Sequence, residues 1–250
     1  MSRTVEQPPS DLQRLPEDRE IDRDDLPREA GMDASAKIGC AFQSVWTALA
    51  PYLSSNMAEM VFDTLGHLRP NKQNLTLLVA DIRGFTSVAE LVDPEECFKI
   101  LNAFFAVAIE SVLEFGGTVD KFQGDAIMAT FSTIPGSDTH ERRAVKCALQ
   151  LRSAIQNLSI PQLPLGRIRL GIGIGTGIAA VGCVGSSRRR DYTAIGDVVN
   201  VAHRLQSISE PDQIIINRET CERMGADLKF KALGNLKLKG RTEPVTAYAV

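Results

Sequence analysis

Two aspartates sit where their carboxylates could do chemistry. Asp81 directly follows the apolar run LTLLVA (75–80), and Asp125 lies in KFQGDAIM between two short apolar segments. A carboxylate ending a buried strand serves equally well as a helix cap or an ion-pair partner. Two of them, each at a strand end and each in a glycine-containing loop (DIRGF and QGDA), admit a second reading. If neighbouring strands bring them together they repel one another unless a cation lies between them, which is the arrangement of a two-metal phosphoryl-transfer site. A further cluster lies in DYTAIGDVVNVAHRL, where Asn200 and Arg204 are four apart on an expected helix and so share a face. They form either a solvated polar stripe or an amide and a guanidinium reaching into a cleft for phosphate.

Other chemistries find no residues to carry them. There is no GxxxxGKS or GxxxxGKT phosphate loop, no GxSxG and no HExxH, and the three histidines (His67, His140, His203) have unrelated settings. Five scattered cysteines without a CxxC give neither a disulfide framework nor a zinc site. Gly175–Ala180 formally matches GxGxxA, but a dinucleotide fingerprint leaves a strand and opens a helix, whereas these glycines lie inside alternating strand sequence. A glycine face on a strand permits close backbone approach, here to a partner subunit or a ligand. Arg188, Arg189 and Arg190 read as a solvated turn.

The elements that must hold these residues follow from periodicity. Strands are expected at 75–80, 118–122, 126–131 and 213–216, with a hairpin turn around Gln123-Gly124. The spacing predicts a helix over 94–115, with Phe98, Leu101, Phe105, Ala108 and Val112 on one face and Gly116-Gly117 as its stop. Further helices are expected at 139–156 and 197–207. In RIRLGIGIGTGIAAVGCVG, Ile168, Leu170, Ile172 and Ile174 fall on one face and Arg167, Arg169, Gly171, Gly173 and Gly175 on the other. The end of the chain, LGNLKLKGRTEPVTAYAV, reads as a closing hairpin. This order suggests an α+β sandwich, not a parallel doubly wound sheet.

Composition bounds the rest. Of 250 residues, 44% are hydrophobic and 24% charged, as in soluble globular proteins. A net charge of −3 gives no electrostatic case for a nucleic-acid partner or an anionic membrane surface. The first residues lack the cationic and apolar regions of a signal peptide, and no apolar run reaches the roughly 18 residues of a membrane span. The expectation is a cytoplasmic protein without membrane insertion. Residues 1–36 carry four prolines and dense mixed charge, and are expected to be a disordered tail. Residues 37–70 read as a helical lead-in, with Ile38, Phe42, Val45, Leu49 and Tyr52 at spacings of four, three, four and three. It either packs on its own domain or forms a dimerising stalk.

LTLLVADIRGFTSVAE, GGTVDKFQGDAIMATF, GIGIGTGIAAVGCVG and DYTAIGDVVNVAHRL together resemble the catalytic domain of class III nucleotidyl cyclases, in register from about Leu75 to Val250. The resemblance implies a ferredoxin-like domain over 71–250 that pairs head to tail with a second copy. It also implies conversion of a nucleoside triphosphate to its 3′,5′-cyclic monophosphate and pyrophosphate. By position, Asp81, Asp125 and the Ile82 carbonyl resemble the ligands of two divalent cations, Mg²⁺ with Mn²⁺ as substitute. Lys121 and Thr193 match the purine-selecting pair, assisted by the Ala194 carbonyl. Asn200 matches the residue that orients the ribose, and Arg204 the one that stabilises charge on the α-phosphate. Arg188 and Lys239 match triphosphate contacts more loosely. A lysine and a hydroxyl meet adenine's N1 acceptor and N6 donor, whereas guanine calls for an acceptor where Lys121 stands. The resemblance therefore implies ATP as substrate and cyclic AMP as product. A guanylate cyclase is disfavoured by Lys121, and a non-catalytic nucleotide-binding module by the presence of both aspartates. His203 replaces the small residue more usual between the asparagine and the arginine, in a position facing the dimer partner.

Overall fold

A computed structural model describes residues 70–158, 167–186, 189–225 and 228–250. All lie in the second of the two compact units into which the chain divides, Leu49–Val250. The expected tail, the lead-in up to residue 69, and Arg188 fall outside the described residues.

The apolar run before Asp81 becomes the middle of a longer strand, β1 (Asn71–Ile82), with residues 75–80 fully buried. It is followed by a short helix, α1 (Phe85–Ala89), and the long helix α2 (Pro94–Glu114). Asp93 caps α2 by accepting from the Glu95 N–H at 2.9 Å, Pro94 opens the first turn, and Gly116 at φ +62° ends the run. The strands β2 (Thr118–Gln123) and β3 (Ala126–Phe131) form the expected hairpin. Helix α3 (His140–Gln156) is capped by Thr139. Then come β4 (Leu170–Ser186), β5 (Arg189–Ile195), α4 (Asp197–Ile208), β6 (Gln213–Asn217), α5 (Arg218–Met224), β7 (Lys231–Leu236) and β8 (Val245–Ala249). The strands join in one sheet of order β2-β3-β1-β4-β6-β8-β7, with β5 paired to the distal half of β4. Only β4–β6 among the described pairs is parallel, so the sheet is antiparallel-rich and the class is α+β, as expected. Among the described residues no helix is long and apolar enough to cross a membrane.

One sheet face buries Leu78, Ile127, Phe131, Ile172 and Ile174 beneath α2 and α3. Each such side chain removed from water contributes about 1.5–3 kcal/mol. The phase expected for α2 is corrected by the structure: its buried residues are Ile100, Phe104, Ala108, Ser111 and Val112, and Phe98 is 69% exposed. The helix is apolar around much of its circumference, so periodicity alone leaves its rotation loosely determined. Phe105 instead reaches the sheet edge, where its ring lies 4.3 Å from that of Phe122.

The close approach expected at the glycine face of β4 is made within the chain, by α4. A Cβ on Gly173 would lie 2.2 Å from both the Ala202 carbonyl oxygen and the Gln206 nitrogen. Beneath α3 and α5 a buried polar row crosses the sheet. Thr220 donates to the Asn217 amide oxygen at 2.6 Å, and Thr176 stands 2.8 Å from Thr220 and from Thr76. His140 Nδ1 closes the row 2.8 Å from Thr76. Arg143, also buried, donates to the carbonyls of Phe115, Gly116, Ser132 and Asp138, tying the end of α2 to the loop that follows β3.

Candidate active site

The antiparallel β1–β3 pairing carries the two aspartates to one end of the sheet. Asp81 is the penultimate residue of β1 and pairs with Ala126, the neighbour of Asp125. Asp125 follows Gly124, whose φ of +64° makes the tight turn between β2 and β3. Burial pushes the Asp81 carboxyl up to about 6, repulsion from Asp125 adds to this, and the Arg83 guanidinium opposes it. Burial also raises Asp125, against its own backbone N–H and Arg83. The Arg83 side chain lies across Gly171 and donates to Ser209 Oγ at 2.7 Å and to the Gln206 carbonyl, so it links this loop to the end of α4. Ile82 follows with its side chain buried.

The chemistry of this donor set fits a hard divalent cation. Two mutually repelling carboxylates and a backbone carbonyl are all oxygen ligands, and Mg²⁺ commonly takes one or two carboxylates and fills its shell from water and phosphate. Among the described residues no group of three or more His, Cys, Asp or Glu side chains is placed to hold a metal.

A second cluster forms around a carboxylate that the sequence reading passed over. Asp120, with its side chain 5% exposed, accepts the Thr193 hydroxyl at 2.9 and 3.0 Å and the Ala194 N–H at 3.1 Å. Lys121 Nζ lies 3.4 Å from the same Oδ1 that accepts from Thr193. A regular strand turns neighbouring side chains to opposite faces. Here the β2–β3 register slips between Val119 and Lys121, leaving Asp120 as the extra residue of a bulge. Bulges re-aim side chains in this way, and they recur beside active sites. The only sequence signal was an acidic residue inside a short strand next to a candidate lysine.

Helix α4 carries the third group. Asn200 is exposed and Arg204 partly buried on it. The Arg204 guanidinium lies 3.2 Å from where a Cβ on Gly240 would stand, beside the exposed Lys239. His203, on the same helix, lies within electrostatic reach of Lys121 and Asp120 of its own chain. Burial, then Lys121, holds its pKa below the usual histidine value. The structure therefore groups Asp81 with Asp125, Lys121 with Thr193 and Ala194, and Arg204 with the Lys239 loop. Arg188 lies outside the described residues. Among the described residues no hydrogen bond or ion pair joins the aspartate pair to Lys121, Thr193 or Ala194.

The family model for the adenylate and guanylate cyclase catalytic domain matches residues 69–250. The chain belongs to this family. The cyclase domain is 34% identical over 185 residues to the terminal-differentiation-specific adenylate cyclase of Dictyostelium discoideum, covering 71% of this chain and 9% of that protein. Among solved structures it is similar to the adenylyl cyclase CyaB from P. aeruginosa, at 31% identity and a TM-score of 0.66, over 73% of this chain and 96% of that one. It is equally similar to the guanylyl cyclase Cya2, at 34% identity and a TM-score of 0.65, over 72% and 93%. The chain spans between 9% and 37% of the length of the first curated relatives it matches. Overall identity to the cyclase family does not choose the purine, and that choice falls to individual residues.

Proposed function

We propose that residues 71–250 form an adenylate cyclase catalytic domain, converting ATP to 3′,5′-cyclic AMP and pyrophosphate for intracellular signalling in the cytoplasm. The observation that carries the reading is the convergence of Asp81 and Asp125 at one end of β1 and β3, with Lys121 and Thr193 gathered on Asp120 at a separate place. Residues 1–36 are a charged tail and 37–70 a helical lead-in.

Asp81, Asp125 and the Ile82 carbonyl would hold two divalent cations, Mg²⁺ or Mn²⁺. When bound, these supply activation of the ribose 3′-hydroxyl and neutralisation of the triphosphate. Lys121 donates to adenine N1 and Thr193 accepts from N6, with the Ala194 carbonyl beside them. Asn200 orients the ribose for in-line attack on the α-phosphate. Arg204 donates to the α-phosphate oxygens as negative charge gathers there, which raises the rate only because the contact strengthens in the transition state. Lys239 and Arg188 neutralise the triphosphate.

Two chains are needed if the two clusters serve opposite ends of one nucleotide. In a head-to-tail homodimer each chain gives its aspartates to one site and its purine, ribose and α-phosphate contacts to the other. Ile178, Val184 and Ile195 of β4 and β5, and Phe122 of β2, are each about half exposed and supply apolar surface for such pairing.

The test is cyclic nucleotide formation by the purified chain with ATP and GTP in parallel, in Mg²⁺ and in Mn²⁺, against Asp125→Ala. Cyclic AMP that disappears in the variant is expected; cyclic GMP would overturn the purine assignment, and no product from a dimeric protein would overturn the enzyme. Mixing Asp81→Ala with Asn200→Ala chains should restore partial activity through one intact shared site. No recovery in verified heterodimers would refute site sharing.

A further inference from the structure

Asp120 is a nearly buried carboxylate that none of the proposed steps uses. It occupies a bulge, at the cost of one regular strand pairing, and the bulge aims it at the two groups that choose the purine. Its two oxygens take three donors: the Thr193 hydroxyl, the Ala194 N–H and, at 3.4 Å, the Lys121 ammonium.

A threonine hydroxyl has one proton and two lone pairs. A carboxylate is acceptor-only, so the proton of Thr193 Oγ1 is committed to Asp120, and the outward side of that oxygen is left with lone pairs alone. Adenine presents the N6 amine, a donor, and guanine presents O6, an acceptor, at the same place on the ring. An oxygen that only accepts meets N6 well and opposes O6. A hydroxyl free to turn would satisfy either. At the neighbouring ring position the ammonium of Lys121 meets adenine N1, an acceptor, and opposes the N1–H of guanine.

We infer that Asp120 is a positioning residue for substrate choice: it fixes the Thr193 hydroxyl as an acceptor and so makes the pocket reject guanine. The inference deepens the adenylate cyclase reading and rests on it. Asp120 touches no substrate atom and acts through Thr193, with Lys121 held beside it. Burial raises the Asp120 carboxyl, while the Thr193 hydroxyl, the Lys121 ammonium and the Ala194 N–H each favour its ionised form, the form that accepts from Thr193.

Asp120→Asn tests this with little change of shape. The Ala194 N–H is fixed in the backbone and claims the single amide oxygen. The amide nitrogen then donates to Thr193 Oγ1 and releases the hydroxyl proton outward, towards guanine O6. The ratio of kcat/KM for ATP to that for GTP should fall about tenfold in this variant, the size expected when one unmatched polar contact in a closed pocket is relieved. General structural damage lowers both rates together and leaves the ratio alone. In a Thr193→Val background, Asp120→Asn should produce no further change in the ratio. Asp120→Ser, which leaves Thr193 without a fixed acceptor, should relax the ratio in the same direction and covers the case in which the asparagine variant does not fold. The same ratio read as equilibrium binding of ATP against GTP gives the result independently of turnover. A wild-type preference for ATP that persists in Asp120→Asn or Asp120→Ser, or that falls equally with valine at position 193, would overturn the inference. A wild-type chain that does not prefer ATP would instead overturn the reading beneath it, before any variant is made.

Discussion

Replacing Gly173 by alanine tests how the cyclase domain seats the helix that carries Asn200 and Arg204. The added methyl would stand 2.2 Å from two backbone atoms of α4, the Ala202 oxygen and the Gln206 nitrogen, where ordinary contact begins at 3.4 Å. Neither obstacle is the end of a flexible side chain, so α4 as a whole must withdraw by about 1 Å. Overpacking by one methyl costs about 1–3 kcal/mol, and a clash against backbone on two sides belongs near the upper figure. At about 2–4 °C per kcal/mol for a domain of this size, the melting temperature should fall by about 6–12 °C. A displacement of that size in Arg204, the proposed contact to the reacting phosphate, should lower turnover by about 10²-fold. Gly177→Ala is the control: its methyl meets only the Val198 side chain, at 3.2 Å and beyond. The reduced freedom of the unfolded chain offsets that contact, so stability should stay within about 1 kcal/mol of the parent. Thermal melts and cyclic nucleotide assays on both variants decide the matter. If Gly173→Ala melts and turns over like the parent, the close approach is wrong. If the two variants lose equally, the glycines matter for a reason other than the helix.

Arg143→Ala should lower the urea midpoint at unchanged slope by the equivalent of about 3 kcal/mol, because up to four backbone carbonyls lose their donor; Arg143→Lys should recover part of this, and parental stability in the alanine variant would contradict the tie. Folding lowers the pKa of His140 and His203, chiefly through burial, so the unfolded chain binds more protons below the ordinary histidine value of about 6.5. Their contribution to stability is whole above that value and declines as pH falls beneath it. Asp81, raised to about 6, contributes a slope of opposite sign, so the readout is a difference: between pH 7.5 and 5.5 a His140→Asn, His203→Asn double variant should lose less stability than the parent in urea titrations. Equal losses would refute the assignment.

Most of the scaffold was legible because its patterns were one-dimensional. The buried run of β1, the alternation through Leu170–Ile174 and the capped helices at Pro94 and His140 are visible in sequence spacing, and the structure reproduces them. Two features were not. The rotation of α2 depends on which part of a broad apolar surface meets the sheet, and that is a tertiary choice. The strand β5 was hidden because its start, Arg189-Arg190-Asp191, is polar and reads as a turn, although pairing with β4 extends it. At the site, Asp81 and Asp125 were recognisable from their strand ends. Asp120 was not, because a bulge is a mismatch between two strands and leaves no mark on either one alone.

The order of synthesis gives the long β1–β4 ladder a cost in time. Paired residues across it lie from 88 positions apart (Ile82 and Leu170) to 110 apart (Asn71 and Val181). At about 5–20 residues per second, a nascent β1 waits roughly 5–20 s for its partner. Its other edge finds β3 sooner, since Thr76 pairs with Phe131. For that interval the edge of LTLLVA that β4 later covers stands open, a template for pairing with other chains. So distant a pair closes slowly, and the interval during which this edge lacks its partner lengthens accordingly.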